Sequence, residues 1–173
     1  MFTRDRLTET AWIVIGLGRV LNWLFLLGVL LLLVLSWLFA ESLISFLSNS
    51  NPGVDAASEA TGLRLEMLIG ILAAIATGRL LAALRDVLAT ARAGDPFVAA
   101  NAGRLQAMGW ALLALQLLDI PASLLGRFVP SLGSAAPNGD ISLGGWMAVL
   151  LLFVLSRVFA AGAVMRDDLE GTV

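Results

Sequence analysis

The sequence contains no histidine, cysteine, tyrosine or lysine, so all of its 11 basic side chains are arginines. Without His or Cys the chain cannot build the usual zinc site, a serine–histidine pair, a thiol nucleophile or a disulfide. Without Lys it has no Schiff-base amine and no P-loop lysine. We therefore expect no metal site and no cofactor.

Charge is also scarce. Only 14% of the 173 residues are charged and 59% are hydrophobic, against roughly 25% and 45 to 50% in soluble domains. Mean hydropathy is +0.91. So few charges cannot cover a water-exposed surface, and the net charge of −2 does not suit direct nucleic-acid binding. The composition indicates an integral membrane protein in contact with the lipid bilayer.

Four apolar runs have the length of about 20 residues that crosses a bilayer as a helix. They predict spans at about 20–40, 63–84, 105–125 and 141–161. The first run is too long for a signal-peptide core and lacks a cleavage site, so we interpret it as an uncleaved anchor. The prediction is one all-α integral membrane domain over residues 1–173, an antiparallel four-helix transmembrane bundle.

The arginines predict how this bundle is oriented. Nine of them fall on the side of the termini and of the hairpin 85–104, whereas only Arg64 and Arg127 fall in or beside the loops 41–62 and 126–140. Positively charged residues favour the cytoplasmic side. Both termini are therefore predicted to be cytoplasmic, and the two loops extracytoplasmic.

Local signals divide the hairpin into two helices. The second span is predicted to continue as a stalk to Ala93, where Gly94 ends the helix. Asp95 is predicted to cap the next helix, with Pro96 at its first position.

Small residues recur every four positions on the second and third spans. This spacing lets helix backbones approach closely in lipid. In antiparallel register the two sets face each other, which predicts a tight hairpin between these spans. The residues are Gly70, Ala74, Gly78 and Ala82 on the second span, and Gly103, Ala107 and Ala111 on the third.

Four charged residues inside the spans are candidates for buried charges: Glu66, Arg79, Asp119 and Arg157. The same register puts Asp119 level with Glu66, and such a pair either binds an ion or proton or joins Arg64 and Arg127 in a structural network. Arg79 and Arg157 lie toward the cytoplasmic ends of their spans. Each either reaches outward to lipid phosphate or points into a cytoplasm-facing pocket, which Asp86 would share with Arg79.

The most distinctive motif follows the stalk: Asp95, Pro96, Phe97, Asn101 and Arg104. Phe97, Asn101 and Arg104 share one helical face at spacings of four and three. Such a face either binds a partner or an anionic ligand, or packs beneath the hairpin and fixes the angle between the stalk and the third span. The acidic tail, with Asp167 and Asp168, is either a docking segment or a solvated helix end.

In this motif the chain resembles the DUF2975 family of bacterial membrane proteins. The resemblance extends over essentially the whole chain and is carried by Gly94-Asp95-Pro96-Phe97, Asn101, Arg104-Leu105, Gly109-Trp110, Val158-Phe159-Ala160-Ala161-Gly162 and Arg166 to Val173. It implies a small four-helix inner-membrane protein without assigned activity, often encoded beside a small helix-turn-helix regulator.

The sequence leaves two functions open and argues against a third, an enzyme. The first is a non-enzymatic signalling or regulatory protein that docks a cytoplasmic partner, such as a DNA-binding regulator. The alternative is a transporter or channel subunit, which four spans would require to act as a homo-oligomer. An enzyme would have to use Asp or Glu alone, and no acid pair at a telling spacing supports one.

Overall fold

The structure, a computed structural model, describes residues 6–126, 129 and 142–170. These residues form five α-helices and no strand: α1 Arg6–Leu38, α2 Ala40–Ser50, α3 Ala56–Arg92, α4 Ala99–Gly126 and α5 Leu143–Glu170. Four of the helices are long and apolar enough to cross a membrane, namely α1, α3, α4 and α5. The predicted all-α membrane bundle with four spanning helices is confirmed.

The first helix begins well before the predicted start at Val20, because the apolar stretch around Trp12 is already helical. It ends at a kink at Phe39, which has φ −112° and ψ 39°. Arg64 explains this kink: its Nη2 donates to the carbonyl oxygen of Ser36 over 2.6 Å. That oxygen would otherwise accept the N–H of Ala40 within a continuous helix.

The segment 41–62, predicted as a loop, contains α2 and the start of α3. This prediction was wrong because Ser and Asn residues, which are typical of loops, here belong to a short amphipathic helix. Leu47 of α2 is only 2% exposed and packs on Ala56 and Ala60 of α3. The second predicted loop, 126–140, lies almost entirely outside the described residues.

Each spanning helix packs on its neighbour in the order α1, α3, α4, α5. Within the described chain, α1 and α5 share no extended contact, so the bundle is open between its first and last helices. Ala83 of α3 packs with Leu105 and Met108 of α4. Trp110 of α4 meets Phe153 of α5 edge to face, with ring centroids 5.2 Å apart.

The small residues of α3 pack, but mainly on α1 instead of on α4 as predicted. Phe25 of α1 lies against Gly70, and Asn22 lies against Gly78 and donates to the carbonyl oxygen of Ala74 over 3.0 Å. Ala82 lines the same α1–α3 groove. Periodicity identifies the close-packing face of a helix but not which helix fills it.

The predicted small residues of α4 differ in burial. Ala111 is buried, whereas Gly103 and Ala107 are exposed. A Cβ at Gly103 would have nothing within 4 Å. The α3–α4 hairpin is held instead by the larger side chains Leu105 and Met108.

Candidate functional site

The motif after the stalk forms a compact set of contacts at one end of the bundle. We call it the clasp and define it by Asp95, Phe97, Asn101, Arg104 and Arg166. The end of the bundle that carries it is the clasp end. The α1–α2 kink lies at the opposite, far end.

Gly94 ends α3 as predicted. Its φ of +86° is the left-handed conformation that glycine adopts readily. The N–H of Gly94 bonds the carbonyl oxygen of Ala91, and the N–H of Asp95 bonds that of Thr90, each over 3.1 Å. This pattern is a Schellman motif. It turns the chain sharply and brings Asp95 back over the helix end.

Asp95 does not cap α4, and this prediction was wrong. The helix begins at Ala99, three residues after Pro96. The Asp95 carboxylate instead forms an ion pair with the guanidinium of Arg166 near the end of α5. The side chains of Asp95 and Arg166 are 36% and 42% exposed, so the pair is accessible to water.

Asn101 is the centre of the clasp and is fully buried. Its Nδ2 donates to Thr90 Oγ1 over 2.6 Å and to the Pro96 carbonyl oxygen over 2.8 Å. Its Oδ1 accepts from Arg104 Nη1 over 2.8 Å. One amide thus ties together α3, the loop and α4. These contacts favour the structural interpretation of Asn101, which cannot touch a partner directly.

Phe97 joins the clasp to α5. Its ring lies 5.1 Å from that of Phe159, and it contacts the position of Gly162. The ring is still 45% exposed. Asp167 and Asp168 follow Arg166 within α5, and their side chains lie outside the described part of the structure. The clasp therefore combines a rigid buried centre with an exposed aromatic edge beside the acidic segment.

Glu66 and Asp119 are brought together as predicted, lining one groove of about 340 Å³ between α3 and α4. Gln116 lines the same groove. Glu66 Oε1 is buried and has no hydrogen-bond partner among the residues that the structure describes. The predicted network with Arg64 is not formed, because the Arg64 guanidinium bonds Ser36 and lies 4.2 Å over the Trp37 ring. Arg127 lies outside the described residues.

Arg79 and Arg157 occupy different grooves. Arg79 lines a groove between α1 and α3 together with Arg19. Asp86, which was predicted to share a pocket with Arg79, is not among the residues that line this groove. Arg157 lines a groove between α4 and α5 with Gln106 and Trp110.

Two arginines at the clasp end were not singled out from the sequence. Arg85 and Arg92 both contact the ring of Trp12 on α1, with distances of 4.6 and 5.1 Å from guanidinium carbon to ring centroid. Their spacing of seven places them on one face of α3, and this was the available signal.

The comparisons with known proteins concern the part of the chain that builds the clasp. The family model described as "Protein of unknown function (DUF2975)" matches residues 55–173, from the N-cap of α3 onward. No curated protein and no solved structure matches the chain. The matched region holds all of the clasp, three of the four spanning helices, and the groove lined by Glu66 and Asp119, which we call the acidic groove. On this match the chain belongs to the DUF2975 family.

Proposed function

We propose that this chain is a non-enzymatic regulatory protein of the bacterial inner membrane that holds a soluble protein at its clasp end. Both termini and the clasp face the cytoplasm in this proposal, in keeping with the arginine distribution. The proposed partner is a basic, DNA-binding regulator of the helix-turn-helix type. The chain itself makes no contact with nucleic acid.

The observation that carries the proposal is the ion pair between Asp95 and Arg166. It attaches the end of α5 to the loop between α3 and α4, so the segment with Asp167 and Asp168 leaves from a defined position. An acidic segment held in place complements a basic partner, and such complementarity sets orientation and specificity.

Two clasp residues and the acidic segment of α5 have distinct roles here. Asn101 is a positioning residue, because it is buried and its three hydrogen bonds fix the loop. Phe97 supplies the exposed apolar contact, since aromatic side chains are enriched in protein interfaces. Asp167 and Asp168 supply the charge.

The test is affinity purification in a mild detergent from native-level expression, with bound proteins identified by mass spectrometry. We expect a basic DNA-binding protein with the wild type, its loss with Asp167→Asn/Asp168→Asn, and its loss with Asn101→Ala. Glu41→Gln is the control, because it removes an exposed carboxylate at the far end. Absence of any specific protein from the wild-type sample, or equal recovery from all variants, would contradict the proposal.

The acidic groove favours a second candidate, a transporter or channel subunit that acts as a homo-oligomer. Two carboxylates line the groove, and within the described part of the chain Glu66 Oε1 has no hydrogen-bond partner. Carboxylates inside a membrane bundle are typical of ion or proton pathways. This candidate predicts that Asp119→Asn abolishes an ion flux into proteoliposomes. It also predicts an oligomer in detergent.

A further inference from the structure

The groove between α1 and α3 is lined by two arginines, Arg19 and Arg79, in a cavity of about 300 Å³. Asn22, Trp23 and Ile75 also line it. Within the described chain no carboxylate lines this groove, and no ion pair engages either arginine. The groove is thus a concentration of positive charge between two membrane-spanning helices.

The two arginines lie at the same depth in the bundle. On one side of them, Gly18 of α1 is level with Leu81 of α3. On the other side, Asn22 bonds the backbone of Ala74. Since the helices are antiparallel, Arg19 and Arg79 lie at about the same level, and both line the groove. Two like charges at one level repel unless an anion lies between them.

Tryptophan is enriched at membrane interfaces, so we take Trp12, which lies against Arg85, as the marker of the membrane surface at the clasp end. On that basis the two arginines lie near the boundary between lipid headgroups and acyl chains. Arg79 lies six residues before Arg85, which is about 9 Å deeper along a helix. A guanidinium at this depth is costly in hydrocarbon and is stabilised when it reaches a lipid phosphate.

A second groove adjoins the first. It has about 690 Å³, lies between α3 and α4, and is lined by apolar side chains that include Leu72, Ala76 and Trp110. Ile75 and Arg79 line both grooves. These two residues form the boundary between the two grooves, which we call the Ile75–Arg79 ridge. Arg79 lies at its clasp end and places a cation beside both grooves.

We propose that Arg19 and Arg79 bind the phosphate of an anionic phospholipid whose two acyl chains lie in the two grooves, one on each side of the Ile75–Arg79 ridge. Guanidinium groups bind phosphate through paired, charge-assisted hydrogen bonds. A free phosphate would satisfy the charge but leave both apolar grooves unfilled, and for this reason we assign the site to a lipid. The site is independent of the partner proposed above.

The test is native mass spectrometry of the delipidated protein in a neutral detergent, titrated with phosphatidylglycerol or with phosphatidylcholine. We expect one tightly retained phosphatidylglycerol and no comparable retention of phosphatidylcholine. Arg19→Gln/Arg79→Gln should weaken the affinity for phosphatidylglycerol by at least about tenfold, because it removes the charge-assisted hydrogen bonds of both guanidinium groups to the phosphate.

Arg157→Gln is the matched control, because it removes an arginine from a groove that contains a single cation. Its affinity should stay at the wild-type value. Equal retention of the two lipids, or an equal loss in Arg157→Gln, would overturn the proposal. Displacement of the lipid by inorganic phosphate that itself stays bound would also overturn it and assign the site to a free anion.

A measurement on the protein with both arginines intact protects the test against a folding defect. Phospholipids brominated on their acyl chains quench nearby tryptophan fluorescence, and Trp23 lines the groove. In phosphatidylcholine nanodiscs, a small fraction of brominated phosphatidylglycerol should quench more than the same fraction of brominated phosphatidylcholine. This excess should fall in Trp23→Phe and in Trp110→Phe, because one of these residues lines each groove, and it should disappear in the double variant. Equal quenching by both lipids would contradict a site selective for anionic lipid.

Discussion

Asp95 and Arg166, 71 residues apart in the sequence, form an ion pair that joins the loop after α3 to the end of α5. Within the described chain, α5 has no extended contact with α1, because the bundle is open between these two helices. The position of the last helix therefore depends on α4 and on the clasp.

The ion pair predicts an energetic coupling between its two residues. Both side chains are more than one-third exposed, so the coupling should be small, about 0.2 to 1 kcal/mol. It is measured by a double-mutant cycle of Asp95→Asn and Arg166→Gln, using reversible unfolding in mixed micelles. Asp95→Asn with Arg157→Gln is the control and should be additive. Additivity in both cycles would show that the pair does not form in solution.

Asn101 should contribute far more to stability than the ion pair. Asn101→Ala leaves a cavity and removes the partner of Thr90 Oγ1, the Pro96 carbonyl and Arg104, so we expect a loss of about 3 kcal/mol in the free energy of unfolding. Asn22→Ala, which removes one hydrogen bond at a half-buried site, should cost about 1 kcal/mol.

Asn101→Asp separates hydrogen bonding from packing, because it keeps the side-chain volume but loses both N–H donors. It should be nearly as destabilising as Asn101→Ala. Wild-type stability in Asn101→Asp would contradict the assigned hydrogen bonds.

Two glycines within helices should respond in opposite ways to alanine. A Cβ at Gly62 would collide with the side chain of Val129, whereas a Cβ at Gly28 would meet nothing within 4 Å. Gly62→Ala should therefore destabilise the protein by about 1 to 3 kcal/mol. Gly28→Ala should stabilise it by about 0.5 to 1 kcal/mol through helix propensity. Thermal unfolding in detergent compares the two, and similar shifts would be inconsistent with Val129 packing on α3.

Asp55 caps α3 and should make its start sensitive to acid. Hydrogen bonds from the Ser58 side chain, then from the backbone N–H groups of Ser58 and Ala57, lower the pKa of the Asp55 carboxyl. A lowered folded-state pKa gives stability that is present above the unfolded value of about 3.9 and is lost as pH falls through the folded value.

Asp55→Asn provides the control, because asparagine also caps a helix but does not titrate. Unfolding followed from neutral to acidic pH should show a smaller loss of stability in Asp55→Asn than in the wild type. Identical pH profiles would exclude a contribution from this carboxylate.

Local properties of the sequence predicted the spanning helices, because the length of an apolar run is a local feature. Gly94 was predicted as a helix stop for the same reason. The start of α4 was not predictable, since the local preference of Asp95 and Pro96 yields to tertiary contacts with Arg166 and Asn101. Which helix packs on the small residues of α3 also depends on the order of the helices in the bundle. The spacing of residues along one helix does not contain this information.

Glu66 and Asp119 show what helical register alone can establish. Their common depth followed from antiparallel pairing, and both line one groove. The engagement of Arg64 with Ser36 and Trp37 instead required the kink after α1. Which group a charged side chain contacts thus depends on the course of the backbone as well as on its depth in the bundle.

The central claim, a cytoplasmic partner at the clasp end, is tested most directly by photocrosslinking in living cells. A photoreactive amino acid replaces Phe97, which is 45% exposed at the clasp, or Phe46, which is 65% exposed on α2 at the far end. The account predicts a crosslink from position 97 to a basic cytoplasmic protein, lost in Asp167→Asn/Asp168→Asn and absent from position 46. Crosslinks from position 97 to periplasmic proteins, or to lipid alone, would contradict it.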